Sequence, residues 1–171
     1  MPAQKISLKE AKRDKLFYFV ANVVIYRESD RRCLILQRSK KERVHPGKFA
    51  VPGGKLEWRD LNLKKPTKIN GEVLDFDNAI EKLLERESLE ETGLTIADGL
   101  HYINSAAFIR PDGIPVVLIK FAAKYKSGAI DLSEGSFIKY AWVNANEVCN
   151  YDCILGIQEE VKKTIAFFSI N

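Results

Sequence analysis

The stretch RESLEETGL, residues 86–94, joins closely spaced glutamates to a closing glycine. A set of apolar residues at positions i, i+3 and i+4, beginning at Ile80, precedes it. That spacing is typical of one face of a helix, and the same face continues as Glu87, Glu90 and Glu91. The sequence therefore predicts one helix whose inward side changes from apolar to acidic along its length.

The predicted helix runs over residues 79–92, and capping signals stand at both of its ends. Asn78 is a typical N-cap residue, and Glu81 follows three positions later, as in a capping box. Gly93 is a typical left-handed stop, and Leu94 is placed for the apolar contact that accompanies such a stop.

The acidic face has an energetic cost that calls for an explanation. Like charges at i,i+3 or i,i+4 destabilise a helix by about 0.2–0.5 kcal/mol per pair. A divalent cation would offset this cost, because Mg²⁺ prefers carboxylate oxygens and shares its coordination sphere with substrate phosphates. From spacing alone, a metal site and a solvated acidic helix both remain open.

Length and composition indicate one folded domain over residues 1–171, since the chain is 46% hydrophobic and 29% charged. The net charge of +4 does not by itself predict nucleic-acid binding. Three cysteines, an odd number, predict reduced thiols rather than a disulfide framework. The polar first residues and the lack of an apolar run of about twenty residues predict no signal peptide, no membrane span and a cytoplasmic location.

Aromatic and β-branched runs predict strands on both sides of the helix. They cover residues 17–26, 33–38, 49–57, 100–110, 115–125 and 139–143. A polar lead-in over residues 1–15, helical around 8–15, comes before them. An excursion at about residues 58–77 carries an Asn70-Gly71 turn signal and is predicted to form a small hairpin. Apolar residues at helical spacing predict a last helix over residues 154–168.

The stretch RESLEETGL resembles the second half of the Nudix box, and PGGKLE at residues 52–57 resembles its opening. The family pattern reads G, five residues, E, seven residues, then R-E-apolar-x-E-E-x-G-apolar. The likeness extends over residues 17–168. It implies an α/β fold with a mixed β-sheet sandwiched between α-helices. It also implies a hydrolase that uses Mg²⁺ or Mn²⁺ and cleaves a diphosphate linked to another group, usually a nucleoside.

The resemblance also implies roles for individual residues. The implied metal ligands are Glu87, Glu90, Glu91 and the backbone carbonyl of Gly53. Arg86 would hold a glutamate in place, and one of the carboxylates would help to activate water. Many family members use a further acidic residue from a late loop, and Glu134 is the candidate here. The candidate substrate contacts are Arg38, Lys55, Glu57 and Arg110.

An insertion splits the family pattern in this chain. Residues 55–85 separate Gly54 from Arg86, where the pattern has only thirteen residues. The inserted segment would emerge beside the active site. Its lysines are then candidates for contacts with an anionic substrate, although a surface loop without such a role is equally compatible with the sequence. These lysines are Lys64, Lys65 and Lys68.

Two single positions also depart from the pattern. The upstream glutamate of the box falls on Asn78, and realignment leaves Glu57 or Glu72 to replace it. Ser88 occupies a position that is apolar in the family, which predicts a modest loss of packing.

The sequence therefore supports two functions from different classes. The first is a metal-dependent pyrophosphohydrolase acting on a nucleotide-type small molecule, such as a nucleoside triphosphate or ADP-ribose. The alternative is a catalytically weak Nudix-fold module that binds a nucleotide or regulates a partner. Processing of an RNA 5′ end would need an aromatic platform beside a basic groove, which the sequence alone does not indicate. Neither the identity of the substrate nor a homodimeric state follows from the sequence.

Overall fold

The computed structural model describes residues 17–110, 113–132 and 135–170, and the predicted lead-in over residues 1–15 lies outside them. The strands are β1 (Tyr18–Arg27), β2 (Arg32–Arg38), β3 (Phe49–Ala50), β4 (Gly53–Lys55), β5 (Lys68–Asn70), β6 (Val73–Asp75), β7 (Leu94–Ile96), β8 (His101–Ile109), β9 (Pro115–Gly128) and β10 (Phe137–Val143). The α-helices are α1 (Ala79–Thr92) and α2 (Ile157–Ile170). Neither helix in this part of the chain has the length and apolar content needed to cross a membrane.

The large sheet is mixed and has eight strands in the described residues, with the central order β10-β2-β1-β9-β7. Strands β1 and β9 run parallel, and their long pairing forms the middle of the sheet. The antiparallel strand β4 pairs with the first half of β1, whereas β2 pairs with its second half. This arrangement brings the glycine pair of β4 beside the centre of the sheet, and the predicted mixed sheet between helices is confirmed.

Helix α1 packs its apolar first half on one face of the sheet, where Leu83 and Leu84 are buried. Its predicted bounds, residues 79–92, are confirmed. Gly93 ends the helix with a φ of 74°, and its N–H donates to the carbonyl of Leu89 at 2.9 Å.

The start of α1 differs from the prediction. Asn78 lies in the left-handed region, with φ 59° and ψ 29°, and its side chain makes no capping hydrogen bond. Its carbonyl instead accepts a hydrogen bond from the N–H of Lys82 at 2.9 Å. An N-cap side chain reaches the free N–H groups of the first turn from an extended backbone, which Asn78 does not have. The predicted capping box with Glu81 is therefore wrong.

Helix α2 covers the opposite face of the sheet through a second core, in which Ile157 and Val161 are buried and Phe168 is partly buried. The helix begins at Ile157 rather than at residue 154, because Gly156 has a φ of 98° and interrupts the helical backbone. The predicted apolar stripe is otherwise the face that packs on the sheet.

The segment between β4 and α1 forms a one-turn 3₁₀ helix at Trp58–Asp60 and the hairpin β5–β6. Gly71 occupies the hairpin turn with a φ of 62°, as the Asn70-Gly71 signal predicts. The two hairpin strands pair with each other in a separate sheet of the described chain. The hairpin is therefore an addition to the main sheet, and the 3₁₀ helix remains next to β4.

Candidate active site

The glycine pair of β4 allows the chain to lie close to both β1 and α1. Gly53 pairs with Asn22 of β1, and a Cβ atom on Gly53 would lie 2.6 Å from the Cα atom of Asn22. A Cβ atom on Gly54 would instead overlap the carboxylate of Glu87 on α1. The first glycine therefore permits strand pairing, and the second leaves room for a carboxylate.

Glu91 lies in this contact between β4 and α1. The backbone N–H of Gly53 donates to Glu91 Oε2 at 3.0 Å. The pKa of Glu91 is raised to about 8, chiefly by burial. The Gly53 hydrogen bond and the charge of Arg38 act to lower it, whereas Glu87 and Glu90 add to the increase. The site thus holds a carboxylate that is costly to ionise without a nearby cation.

Arg86 links the other carboxylates of the site. Its Nη1 atom lies 2.9 Å from Glu87 Oε1 and 3.1 Å from Glu90 Oε2. Burial raises the pKa of Glu87, although the charge of Arg86 lowers it in part. Burial alone would lower the pKa of Arg86, but Glu87, Asp60 and Glu90 together raise it above its usual value. Arg86 therefore remains charged and holds two glutamates of the helix.

Asp60 is a residue of the site that the sequence prediction missed. Its Oδ1 atom lies 3.2 Å from Arg86 Nη2, and its Oδ2 atom accepts the N–H of Glu57 at 2.8 Å. The signal was present, because Asp60 follows Gly54 at the interval that the family pattern gives for its upstream glutamate. Counting back from Arg86 instead crosses the insertion, which lies after Asp60, and therefore reaches Asn78.

The two residues predicted to replace the upstream glutamate lie elsewhere. Glu57 forms an ion pair with Arg59 at 2.7 Å on the exposed side of the 3₁₀ helix. Glu72 stands exposed in the turn of the hairpin β5–β6. The 3₁₀ turn directs Asp60 rather than Glu57 back to Arg86, so the structure favours Asp60 over Glu57 and Glu72 for this position.

A protein-family model described as NUDIX domain matches residues 18–164, which is most of the chain. The chain belongs to the Nudix family. The predictions of the family, of its fold and of a hydrolase acting on phosphorus-containing acid anhydrides are thereby confirmed. No curated protein matches the chain.

Solved structures of Nudix proteins resemble the whole described fold. A MutT protein from Methanosarcina mazei Go1 has a TM-score of 0.63 and 22% identity, over 94% of this chain and all of that one. The NUDIX domain of Shewanella oneidensis NrtR, solved with ADP ribose, has a TM-score of 0.65 and 14% identity, over 98% and 96%. A C. elegans Ap4A hydrolase in a binary complex has a TM-score of 0.60 and 19% identity, over 90% and 99%. At these identities the likeness concerns the fold alone.

The predicted substrate contacts lie at different distances from the box of this Nudix chain. Arg38 lies close enough to lower the pKa of Glu91, but it is paired with Glu42 at 2.8 Å. Lys55 and Arg110 both lie against the ring of Tyr18, at 5.0 Å and 5.5 Å from its centroid. Glu134 lies outside the described residues.

The predicted glutamates are only partly brought together. Within residues 17–110, 113–132 and 135–170, no three His, Cys, Asp or Glu side chains converge closely enough to hold a metal ion. Glu87 and Glu91 flank the glycine pair, whereas the side chain of Glu90 is 45% exposed and contacts Arg86. The donor set still fits a hard divalent cation, because two poorly solvated carboxylates lie beside a glycine backbone that leaves space for them.

Proposed function

We propose that this Nudix hydrolase depends on a divalent cation and cleaves a diphosphate linkage in a nucleoside diphosphate joined to another group. One observation carries the proposal. The carboxylate of Glu91 is buried against the glycine pair of β4, and burial raises its pKa to about 8. A buried carboxylate with this property is typical of a functional site, where a bound cation offsets the cost of ionising it.

The residues that would hold Mg²⁺ or Mn²⁺ are Glu87, Glu91 and the carbonyl of Gly53, with Glu90 joining them after it leaves Arg86. When bound, such a cation neutralises the diphosphate and lowers the pKa of a water molecule. Gly54 keeps this position open, because a side chain there would overlap Glu87. Gly53 fixes the orientation of Glu91 through its N–H.

The other residues of the site have positioning and binding roles in this proposal. Arg86 holds one oxygen of Glu87, and Asp60 holds Arg86 from the opposite side. Glu87 is assigned as the acceptor of the proton that the attacking water loses, because it lies at the glycine pair and Arg86 holds its Oε1 atom in place. Lys55 follows the glycine pair directly and is assigned to a phosphate of the substrate.

One observation favours the alternative, a catalytically weak nucleotide-binding or regulatory module. The three box glutamates do not converge closely enough to hold a metal ion among the described residues, and Glu87 and Glu90 instead share the Nη1 atom of Arg86. If this arrangement persists with substrate present, a nucleotide would bind without efficient turnover.

Turnover separates the two candidates. We would measure, by liquid chromatography, the nucleoside monophosphate formed from nucleoside triphosphates, nucleotide sugars, NADH, ADP-ribose and dinucleoside polyphosphates, each with Mg²⁺, Mn²⁺ or EDTA. ADP-ribose and dinucleoside tetraphosphate come first, because solved relatives are a NUDIX domain bound to ADP ribose and an Ap4A hydrolase. The variants are Glu91→Gln and, as a control, Glu85→Gln, which changes an exposed glutamate of the same helix.

We expect cation-dependent turnover that falls by about 10²–10³-fold in Glu91→Gln and stays unchanged in Glu85→Gln. Turnover that persists in EDTA would contradict the role of the cation. Saturable nucleotide binding without turnover of any compound would favour the regulatory module.

A further inference from the structure

A cleft of 490 Å³ opens beside the candidate active site, and aromatic side chains form much of its wall. Tyr18 contributes from the beginning of β1 and Phe17 from the residue before it, Lys55 from the end of β4, and Trp58 and Leu61 from the segment that follows. Its size falls within the range of about 300–1,000 Å³ that is usual for small-molecule sites. We call this feature the aromatic cleft.

We infer that the aromatic cleft binds the base of a nucleoside substrate, with Trp58 as its stacking surface and Lys55 and Arg110 as contacts for the phosphates. The inference rests on the proposed function and adds to it the part of the substrate that is recognised. It assigns a role to Trp58 and Leu61, which the family pattern leaves without one.

Trp58 is exposed in a way that favours ligand binding over packing. The residue is 46% exposed, and among the described residues its ring has no stacked or edge-on aromatic partner and no cation above it. A contiguous apolar patch left exposed in a cleft is typical of a binding site, and Phe17 and Tyr18 line the same cleft as Trp58. The flat face of a nucleobase matches such a surface, and stacking accepts any base.

The charges at the cleft indicate how a substrate is oriented in it, with its phosphates nearer the catalytic glutamates than its base. Lys55 lines the cleft, and Arg110 lies against the ring of the lining residue Tyr18, as Lys55 does, so two cations stand beside Tyr18. The nearby carboxylate of Glu57 is paired with Arg59 at 2.7 Å, which reduces its repulsion of an anion. Lys55 follows Gly54 directly in β4, and its side chain reaches Tyr18 whereas Gly54 faces Glu87 of α1, so the end of the cleft at Lys55 is the one that borders these glutamates. The base would then extend away from these glutamates towards Trp58.

The wall that carries Trp58 is fixed to the catalytic helix. Trp58 and Asp60 belong to the same one-turn 3₁₀ helix, and Asp60 is held by Arg86 at 3.2 Å. A base stacked on Trp58 therefore has a defined position relative to Glu87 and Glu91. Such rigid positioning lowers the entropy that must be lost before reaction.

The test separates base recognition from binding of phosphate. Steady-state kinetics would compare the best nucleotide substrate with inorganic tripolyphosphate, which has no base. The variants are Trp58→Ala, Trp58→Phe and, as a control, Tyr102→Ala, which removes an exposed aromatic ring of β8. We expect Trp58→Ala to raise KM for the nucleotide by about ten- to a hundredfold with little change in kcat. Trp58→Phe should restore most of the affinity, and Tyr102→Ala should have no effect.

A binding measurement makes the inference testable even if no compound is hydrolysed. The chain has two tryptophans, so a Trp142→Phe background leaves Trp58 as the only one. AMP or GMP with Mg²⁺ should quench its fluorescence saturably, whereas tripolyphosphate should not. Failure of the proposed function with saturable quenching would leave the inference standing.

Three results would overturn the inference. The first is an equal increase of KM for the nucleotide and for tripolyphosphate in Trp58→Ala. The second is the absence of saturable quenching by either nucleotide. The third is sedimentation of the wild-type chain as a dimer that Trp58→Ala converts to a monomer, because a second copy would then occupy the aromatic cleft.

Discussion

Glu91 of α1 has an unusually high pKa for a glutamate, because its carboxylate is buried. Burial raises its pKa to about 8, well above the value of 4.5 expected in an unfolded chain. Because the folded state retains the proton more strongly, the stabilisation from this group is complete below about pH 4.5 and is lost as the pH rises to 8. Without metal, the free energy of unfolding should therefore fall over this interval by at most about 1.4 kcal/mol per pH unit, and then level off.

Chemical denaturation in EDTA at several pH values between 5 and 9 measures this slope. In Glu91→Gln the decrease should be smaller, because the titrating group is gone, whereas Glu85→Gln should keep it. Added Mg²⁺ should stabilise the wild-type chain more at pH 8 than at pH 6, since a cation binds the ionised carboxylate. Parallel pH profiles for the wild type and Glu91→Gln would show that Glu91 ionises normally.

Asp60 acts on the glutamates through Arg86. Asp60→Asn removes the charge from the contact at 3.2 Å, so Arg86 would be held less firmly and Glu87 would be less well oriented. We expect kcat to fall by about 10–100-fold, in the range found when partners of metal ligands are altered. Asp60→Glu should recover part of the loss, because the family pattern has glutamate here.

Asp75→Asn is a matched control for this prediction. It also removes a carboxylate from the segment between β4 and α1, but in the hairpin, where Asp75 contacts Asn70. Kinetics with the substrate found in the panel would compare the variants. Equal kcat values for Asp60→Asn and the wild type would mean that Arg86 does not need its contact with Asp60.

At the scale of the elements, the two glycines of β4 are required for different reasons. Gly54→Ala brings a methyl group against the end of a flexible side chain, Glu87, which can move. The variant should fold with a Tm close to that of the wild type and lose about 10²-fold in turnover, because a carboxylate is displaced. Gly53→Ala brings the methyl group against the backbone of Asn22 at 2.6 Å, which cannot move without separating β4 from β1.

We therefore expect Gly53→Ala to lose about 1–3 kcal/mol of stability as well as activity. Thermal unfolding and turnover, measured together for both variants, test the contrast. Equal losses of stability in the two variants would mean that β4 adjusts as a whole and that the two glycines are not distinct.

The sequence predicted those elements whose signals are local. Helix α1 was placed at its correct bounds, because an apolar stripe starts it and a left-handed glycine ends it. The left-handed conformation of Asn78 was missed, because it depends on how the preceding segment enters the helix. The short strand β7 was also missed, since it exists through pairing with the distant end of β9.

The same distinction between local signals and contacts of distant segments applies to the candidate site. The glycine pair and the helix glutamates were readable from spacing, but the ion pair between Asp60 and Arg86 joins residues on either side of the insertion. Ser88 is buried, and its Oγ has no hydrogen-bond partner among the described residues, while the loss of packing at this position stays a prediction. The resemblance implied that Arg86 holds a glutamate, but not that one nitrogen of Arg86 contacts both Glu87 and Glu90.

At the scale of the whole molecule, the hairpin β5–β6 stands apart from the main sheet. Its strands pair with each other, and Ile69 and Val73 are more than half exposed. Its two ends are also close together, because the N–H of Asp77 donates to Thr67 Oγ1 at 3.0 Å. A two-residue glycine linker in place of residues 68–76 should therefore join the ends without disturbing Asp60 or α1.

We expect the shortened chain to keep its Tm within about 2–4 °C, since the hairpin adds little to either core. Turnover should stay within threefold of the wild type, because the aromatic cleft and the glutamates lie outside the deleted residues. Lys68→Ala, which changes the one lysine among residues 68–76, is the matched variant that separates charge from shape. If the deletion and Lys68→Ala both raise KM by tenfold or more, Lys68 contacts the substrate. If only the deletion does so, the hairpin backbone closes over the site and the insertion is part of the active site rather than a surface addition.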